Sequence, residues 1–321
     1  MKKYIFKRFL QLIPVVVIVA FFSFFVINAA PGSPIDNYIR TDMTPEEIQE
    51  LKVQYGVDGN WVEQFLGWGK RTIRGDLGLS IYKKKPVTEL IGERLPSTMI
   101  LAGTSLVISL VLAIPISILS AKHENNFIDN IISFFSYFGI SVPQFWLGMI
   151  LIILFSVKLK ILPSGGIRTV NVNTTGDFLK HLIMPAIVMS LNNLAIYIRY
   201  LRSSILTELQ KDYVETAVAR GGSEKALMYK HILRNSMLPI VTLLGVNITS
   251  LVTGSVVIET VFSWPGIGKL AMDAINQRDF PVIMGYTMFS CVVLILGNFL
   301  ADILYAYLNP KIRKSIEAEY E

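Results

Sequence analysis

Six stretches of this chain are free of Asp, Glu, Lys and Arg: residues 9–35, 95–121, 130–157, 181–198, 235–258 and 280–301. Each is close to or beyond the ~20 residues an apolar helix needs to cross a bilayer. Hydrocarbon offers the backbone no partners, so a spanning stretch must bond its own amides and carbonyls as a helix. The pattern predicts an all-α membrane protein with six transmembrane helices and an outer helical loop insertion between helices one and two. The fourth stretch is the shortest, and it carries His181 and the pair Asn192-Asn193.

Taken in order, helix one is expected to start after Lys7-Arg8 and to leave at Pro31-Gly32-Ser33-Pro34. Its apolar run exceeds the roughly 7–15 residues of a signal-peptide core, so it is expected to be retained. Helix two, 97–121, contains Pro115. Helix three, about 130–157, holds Gly139, Pro143 and Gln144 in its middle. A proline there frees a carbonyl that neighbouring helices or cavity water must satisfy, which predicts a kinked, protein-facing helix. Helix four begins near Leu182, just before Pro185; helix five runs from Leu238 to about Glu259; helix six runs from Val282 to about Leu308.

Two polar segments carry helix signals of their own. In the insertion, about 35–94, Thr44-Pro45-Glu46-Glu47 reads as a capping box with Pro at the first helical position, closed by Gly56. Asn60-Trp61-Val62-Glu63 repeats the device for a second helix ending near Gly75. In the segment 212–239, Asp212 with Glu215 reads as a further capping box. Gly221-Gly222 stops that short helix, Ser223 opens another, and Pro239 sits where the next apolar run begins. The result is a helix–Gly–helix hairpin at about 207–236.

Composition agrees with the pattern. Hydrophobic residues make up 52% of the 321 and charged residues 17%, with a mean hydropathy of +0.50. Soluble domains carry about a quarter charged residues. The net charge of +6 follows topology rather than nucleic acid. With the N-terminus inside, the Lys/Arg-rich segments, above all the hairpin with Lys211, Arg220, Lys225, Lys230 and Arg234, fall on the cytoplasmic side, and the long first outer loop is largely exempt from the positive-inside rule. Both termini are therefore expected in the cytoplasm. Cys291 is the sole cysteine, so no intrachain disulfide is possible.

Glu215-Thr216-Ala217, followed after three residues by Gly221, resembles the "EAA…G" loop of ABC importer permeases, with Thr216 in place of the first alanine and the Leu238-Pro239 pair five residues late. The segment HILRNSMLPIVTLLG, 231–245, is similar to the dipeptide/oligopeptide/nickel branch of that family. So are GDLGLS at 75–80, the run Val261-Phe262-Ser263-Trp264-Pro265-Gly266-Ile267-Gly268, and Arg278-Asp279-Phe280-Pro281. The likeness extends from the N-terminus to about Arg313. It implies a single permease domain, 1–321, in a bacterial or archaeal cytoplasmic membrane, importing di- or oligopeptides; a nickel complex or glutathione is the alternative cargo. It further implies a second permease subunit making a heterodimer, two ATP-binding subunits and an extracytoplasmic solute-binding protein. No cofactor is expected on this chain, since ATP would sit on the partner subunits. Glu215, Ala217, Arg220 and Gly221 are the expected contacts to an ATPase. The insertion either receives the solute-binding protein or caps the bundle.

Polar side chains inside spanning helices usually face the bundle interior or a water-filled path. Gln144, Asn192, Asn193, Asn247, Thr249 and Asn298 are candidates for lining such a path; the alternative is interhelical hydrogen bonding, worth about 0.6–2 kcal/mol each. A phosphate loop needs GxxxxGK and then Ser or Thr. Gly268-Lys269 has Ser263 and Leu270 at the other positions, and Gly69-Lys70 has Gln64 and Arg71, so both fail. Energy must come from another chain or from an ion gradient. An ion-coupled transporter would call for paired ionisable residues at the midplane or matched broken helices, and the six apolar stretches hold no Asp, Glu, Lys or Arg. A membrane enzyme is disfavoured by the lack of a nucleophile elbow and by three scattered histidines, His123, His181 and His231. Trp264 is expected as an interfacial belt residue.

Overall fold

The computed structural model describes residues 2–29, 39, 42–55, 58–219, 223–237, 239–241, 243–244 and 253–308. Four helices among them are long and apolar enough to cross a membrane: Leu10–Ala29, Val87–Lys122, Thr175–Leu209 and Phe280–Phe299. A broken pair, Phe127–Ser141 with Gln144–Lys158, makes a fifth if it is counted as one span, and it bends by 99°. Most of the fifth apolar stretch of the sequence, with Asn247 and Thr249, lies outside the described residues. The chain divides into two compact units, each assembled from separate segments.

The first unit takes in Met1–Thr98, Val252–Val256 and Pro265–Glu321. Its helices are α1 (Lys2–Ala29), α2 (Pro45–Tyr55), α3 (Trp61–Ile73), the beginning of α4 (Val87–Lys122), α12 (Ile267–Gln277) and α13 (Phe280–Leu308). Both expected capping boxes of the insertion form. The Thr44 N–H donates to Glu47 Oε2 at 2.7 Å while the Glu47 N–H donates to Thr44 Oγ1 at 3.3 Å. Asn60 Oδ1 accepts from the N–H groups of Val62 and Glu63, and Glu63 returns the bond. Helix α3 stops at Ile73, and Gly75 follows with φ +84, a conformation only glycine adopts readily.

Two apolar clusters hold this unit. Ala20 and Phe24 of α1 meet Trp68 of α3 and Met284 and Met288 of α13. Val87, Leu90 and Ile91 at the start of α4 meet Ile267, Leu270 and Ala274 of α12 and Val282 of α13. Beside the second cluster, the carboxylate of buried Asp279 accepts from Ser80 Oγ at 2.5 Å and from the N–H groups of Ile81 and Tyr82 at 3.2 Å. Its own carbonyl accepts from the Ile283 N–H at 3.0 Å, opening α13. The tight loop 78–87, closed by the Val87 N–H to Gly78 carbonyl bond at 3.0 Å, is thereby tied to the head of α13. Two of the family-like stretches, GDLGLS and RDFP, are one hydrogen-bonded structure.

The second unit takes in Met99–Leu251 and Val257–Trp264. It contains the rest of α4, α5 (Phe127–Ser141), α6 (Gln144–Leu151) with a π-helical continuation Ile152–Lys158, α7 (Thr175–Leu209), α8 (Asp212–Ala219), α9 (Glu224–Leu227), a π-helical turn Met228–Ile232, and α10 (Leu233–Ser236). Helix α11 is Val256–Val261. The expected kink in helix three is a full break: Val142 caps the end of α5 in an extended conformation, and Pro143, also extended, precedes α6 as its N-cap. Pro143 disfavours helical geometry at the residue before it and removes one amide, so the chain turns there.

Helix α7, whose polar residues made it the weakest of the apolar stretches, has the largest buried share of its apolar window, 56% against 11% for α1. Its polarity is tolerated because neighbours surround it. Leu182, Met184, Ala186, Val188 and Met189 pack with Leu101, Ala102, Ile258, Phe262 and Trp264. The expectation of an interfacial Trp264 is corrected: the side chain is fully buried, its ring 5.9 Å from that of Phe178. Ser263 has φ 47, a left-handed turn that carries the chain from α11 into this cluster. Against the same turn lies Gly165, where a Cβ would stand 2.5 Å from the Phe262 carbonyl oxygen, which itself accepts from the Gly166 N–H at 2.8 Å.

Candidate functional site

The polar hairpin is built from α8, α9, the π-helical turn and α10. Helix α8 begins at Asp212 itself, so Asp212 and Glu215 are both first-turn acids facing the positive end of the helix dipole. The expected cap by Asp212 is thus displaced by one residue: Lys211 flanks the helix, and its carbonyl accepts from the Val214 N–H at 2.9 Å. Ser223 does open the second helix, with its Oγ accepting from the Ala226 N–H at 3.2 Å. Arg220 and Gly221 lie outside the described residues.

The hairpin is bound to two long helices by its apolar side. Val214, Leu227, Met228 and Ile232 are buried against Ile118 and Ala121 near the end of α4 and Ile205 of α7, with Tyr213, Ala217 and Leu233 around them. Burying four such side chains is worth about 6–12 kcal/mol as an upper figure. Ala217, expected to meet a partner, is half-buried in this cluster, whereas Glu215 is exposed. The outward face also shows Val218, 60% exposed, and Tyr229, 53% exposed, among Lys225, Lys230 and Arg234.

A polar junction adds to the apolar one. Buried Glu208, in the last turn of α7, accepts from Tyr213 Oη at 2.9 Å, from Asn235 Nδ2 at 3.3 Å and from Lys211 Nζ. It ties α7 to both arms of the hairpin. The carboxylate holds the Lys211 ammonium above its ordinary pKa. Burial pushes the Tyr213 phenol up, and its hydrogen bond to Glu208 adds to the shift. Two turns earlier on α7, Arg202 grips Asp129 of α5 with Nε at 2.7 Å and a second guanidinium nitrogen at 2.6 Å. Asp129 also accepts from Ser120 Oγ of α4 at 2.5 Å and from the Asn125 N–H at 3.0 Å. One carboxylate thus joins α4, α5 and α7.

Neither junction was foreseen. Asp129 stands immediately before the third apolar stretch and Arg202 shortly after the fourth, so both read as ordinary flanking charges. An acid beside an apolar run, matched by a base at the same end of another, was the available signal. Of the path-lining candidates, Gln144 starts α6 and is half-buried, as are Asn192 and Asn193 on α7, while Asn298 is exposed on α13.

Long apolar helices that end on a polar, multiply anchored hairpin define a membrane protein with a basic, partly exposed polar end. The sequence comparisons agree: residues 113–314 match the family described as binding-protein-dependent transport system inner membrane component, and residues 1–102 match the N-terminal family of the same membrane component. The chain belongs to this family, the permeases of ABC importers, within its peptide and nickel branch. It is a multi-pass inner-membrane protein that works in a transport complex with other subunits, and it is a transport component rather than an enzyme. It is 41% identical over 314 residues to the oligopeptide transport system permease protein AppB of Bacillus subtilis (strain 168), covering 97% of this chain and 99% of that one. It is 36% identical over 313 residues to the glutathione transport system permease protein GsiC of Escherichia coli (strain K12), covering 98% and 99%. Among solved structures, the inward-facing MetNI methionine ABC transporter matches with a TM-score of 0.51 at 14% identity, over 69% of this chain and 97% of that one, a likeness of fold.

Proposed function

We propose that this chain is the permease subunit through which an ATP-driven importer carries peptides into the cell. The observation that carries this reading is the end-to-end similarity to an oligopeptide permease, 97% of this chain against 99% of the relative. In this reading the chain pairs with a second permease, two ATP-binding subunits and an extracytoplasmic solute-binding protein. Both termini and the hairpin are cytoplasmic, in keeping with the basic residues that flank them. An ATP-binding subunit seats on the exposed side of the hairpin, with Glu215, Arg220 and Gly221 at the contact. Ala217 serves from behind, by packing. Closure of the ATP-binding subunits pushes the hairpin, and Glu208 together with the apolar cluster passes the displacement to α7 and α4. Gln144, Asn192, Asn193, Asn247, Thr249 and Asn298 are proposed to meet the solute or its water.

A second reading, glutathione import, is favoured by the similarity to GsiC, and glutathione is itself a small peptide. Uptake of a labelled oligopeptide and of labelled glutathione, in a strain lacking this chain and in the same strain with it restored, separates the two. Peptide uptake returning with the chain supports the first reading; glutathione uptake alone returning supports the second. If neither returns while the chain is present in the membrane, the importer assignment for these solutes is wrong.

A further inference from the structure

We infer that α3 is not a water-borne part of the insertion but lies in the membrane surface beside α1, with Val62, Leu66 and Ile73 in contact with lipid. Two surfaces of this short helix are apolar, and only one is covered by protein. Phe65 and Trp68 pack on α1, with ring centroids 5.4 and 6.1 Å from that of Phe24. Trp61 stands 6.0 Å from Phe21 and 6.4 Å from Phe25. With about 3.6 residues per turn, Val62, Leu66 and Ile73 fall together on an adjoining, exposed strip that no other described residue buries. Leu66 is 64% exposed and Ile73 is 89% exposed. Exposed Glu63, Lys70 and Arg71 fill the remaining arc, with Lys70 and Glu63 bordering the strip beside Leu66 and Arg71 facing away from it. A helix with one continuous apolar arc and a charged remainder is the form that lies along a bilayer surface.

The height of the contact decides what covers the strip. The apolar run of α1, Leu10–Ala29, has 20 residues, about 30 Å of helix, which matches the hydrocarbon thickness. Phe21, Phe24 and Phe25 stand four to eight residues before its end, about 6–12 Å inside that run. A helix packed on those rings is at the depth of the acyl chains and headgroups. The outward side of α1 beside the contact, Phe22, Phe25 and Val26, is 50–63% exposed, so the uncovered strip of α3 continues a surface that already faces lipid. Lys70 and Arg71 on the polar side suit the phosphates of an anionic bilayer.

The test uses the full chain assembled with its partner subunits in vesicles of phosphatidylethanolamine and phosphatidylglycerol. Nitroxide labels are placed one at a time through Val62→Cys, Leu66→Cys, Ile73→Cys, Glu63→Cys and Lys70→Cys, in a Cys291→Ser background. Collision with dissolved oxygen, which concentrates in lipid, is compared with collision with a water-soluble nickel chelate. The oxygen-to-nickel ratio is expected to be several-fold higher at positions 62, 66 and 73 than at 63 and 70. A low ratio at 66 and 73 means that the strip faces water and overturns the inference. Shielding from both reagents means that a protein covers it, the second permease or a solute-binding protein, and overturns it equally. The inference rests on α1 spanning the membrane and not on the identity of the solute, so uptake measured on the same vesicles fails or succeeds separately.

Discussion

Arg202 and Asp129 form one ion pair, yet removing them should have unequal consequences. The Asp129 side chain is 3% exposed and that of Arg202 is 25% exposed. Arg202→Met strands a buried carboxylate that keeps only the Ser120 hydroxyl and the Asn125 N–H as donors. Breaking a buried pair in this way costs about 3–5 kcal/mol. Asp129→Asn instead leaves a guanidinium that can turn toward solvent, and the loss is nearer the 1–3 kcal/mol of an unsatisfied polar group. At about 2–4 °C per kcal/mol, Arg202→Met should lower the melting temperature of the detergent-solubilised chain by roughly 6–20 °C, clearly more than Asp129→Asn. The double variant Asp129→Leu/Arg202→Met should recover part of the loss, because no uncompensated charge remains. Thermal unfolding of the four proteins, parent included, settles the ranking. If Asp129→Asn is as damaging as Arg202→Met, or if the double variant is no better than Arg202→Met, the argument from unequal burial fails.

Gly165→Ala should reduce the amount of folded chain in the membrane, since its Cβ would lie 2.5 Å from the Phe262 carbonyl oxygen and backbone must move; normal abundance and melting temperature would contradict this. Trp68→Phe should be close to neutral, because the buried indole N–H has no hydrogen-bond partner among the described residues, whereas Trp68→Ala should cost about 3–5 kcal/mol, both read from thermal unfolding. Gly221→Val should reach the membrane at normal levels yet lose uptake and retain less ATP-binding subunit on purification, with Gly222→Ala much milder; unimpaired uptake in Gly221→Val would count against the hairpin as the coupling element. Single cysteines in a Cys291→Ser background should label from outside at Lys52→Cys and from inside at Lys225→Cys, and outside labelling at 225 would reverse the assigned topology.

What the sequence disclosed depended on how local the physics was. The capping boxes at Thr44 and Asn60 involve residues three apart, and both form as expected. Helix boundaries fared worse. The apolar stretch of α4 begins at residue 95, but the helix begins at Val87, because Glu89, Glu93 and Arg94 are compatible with a helix in water and only incompatible with lipid. Apolarity marks the membrane, not the helix. The break before α6 was visible as Pro143, but its 99° angle depends on packing that no local signal encodes. Trp264 was misplaced for the same reason: a tryptophan next to a proline and two glycines resembles a belt residue until Phe178, Phe262 and the α7 side chains are brought around it. In the candidate site, the two short helices were legible from the first-turn acids of one and from Ser223 at the head of the other, while the glycine stop between them lies outside the described residues. The two carboxylate junctions were not, since Glu208–Asn235 and Asp129–Arg202 join residues 27 and 73 positions apart.

The bond from Ser80 to Asp279 spans 199 positions of the chain. At about 5–20 residues per second, a ribosome needs roughly 10–40 s to travel from one to the other. For that interval the loop 78–87 is outside its final structure: the N–H groups of Ile81 and Tyr82 lack their acceptor, and Val87, Leu90 and Ile91 lack the α12 surface that covers them. Completion of this early segment therefore waits on the last third of the polypeptide. A nascent chain that stalls, or a nonsense mutation that ends the chain before Asp279, would leave this loop, with its three consecutive lysines, unanchored and open to proteases, as well as missing its final helix. Quality control could recognise an unfinished permease from a segment made long before the defect.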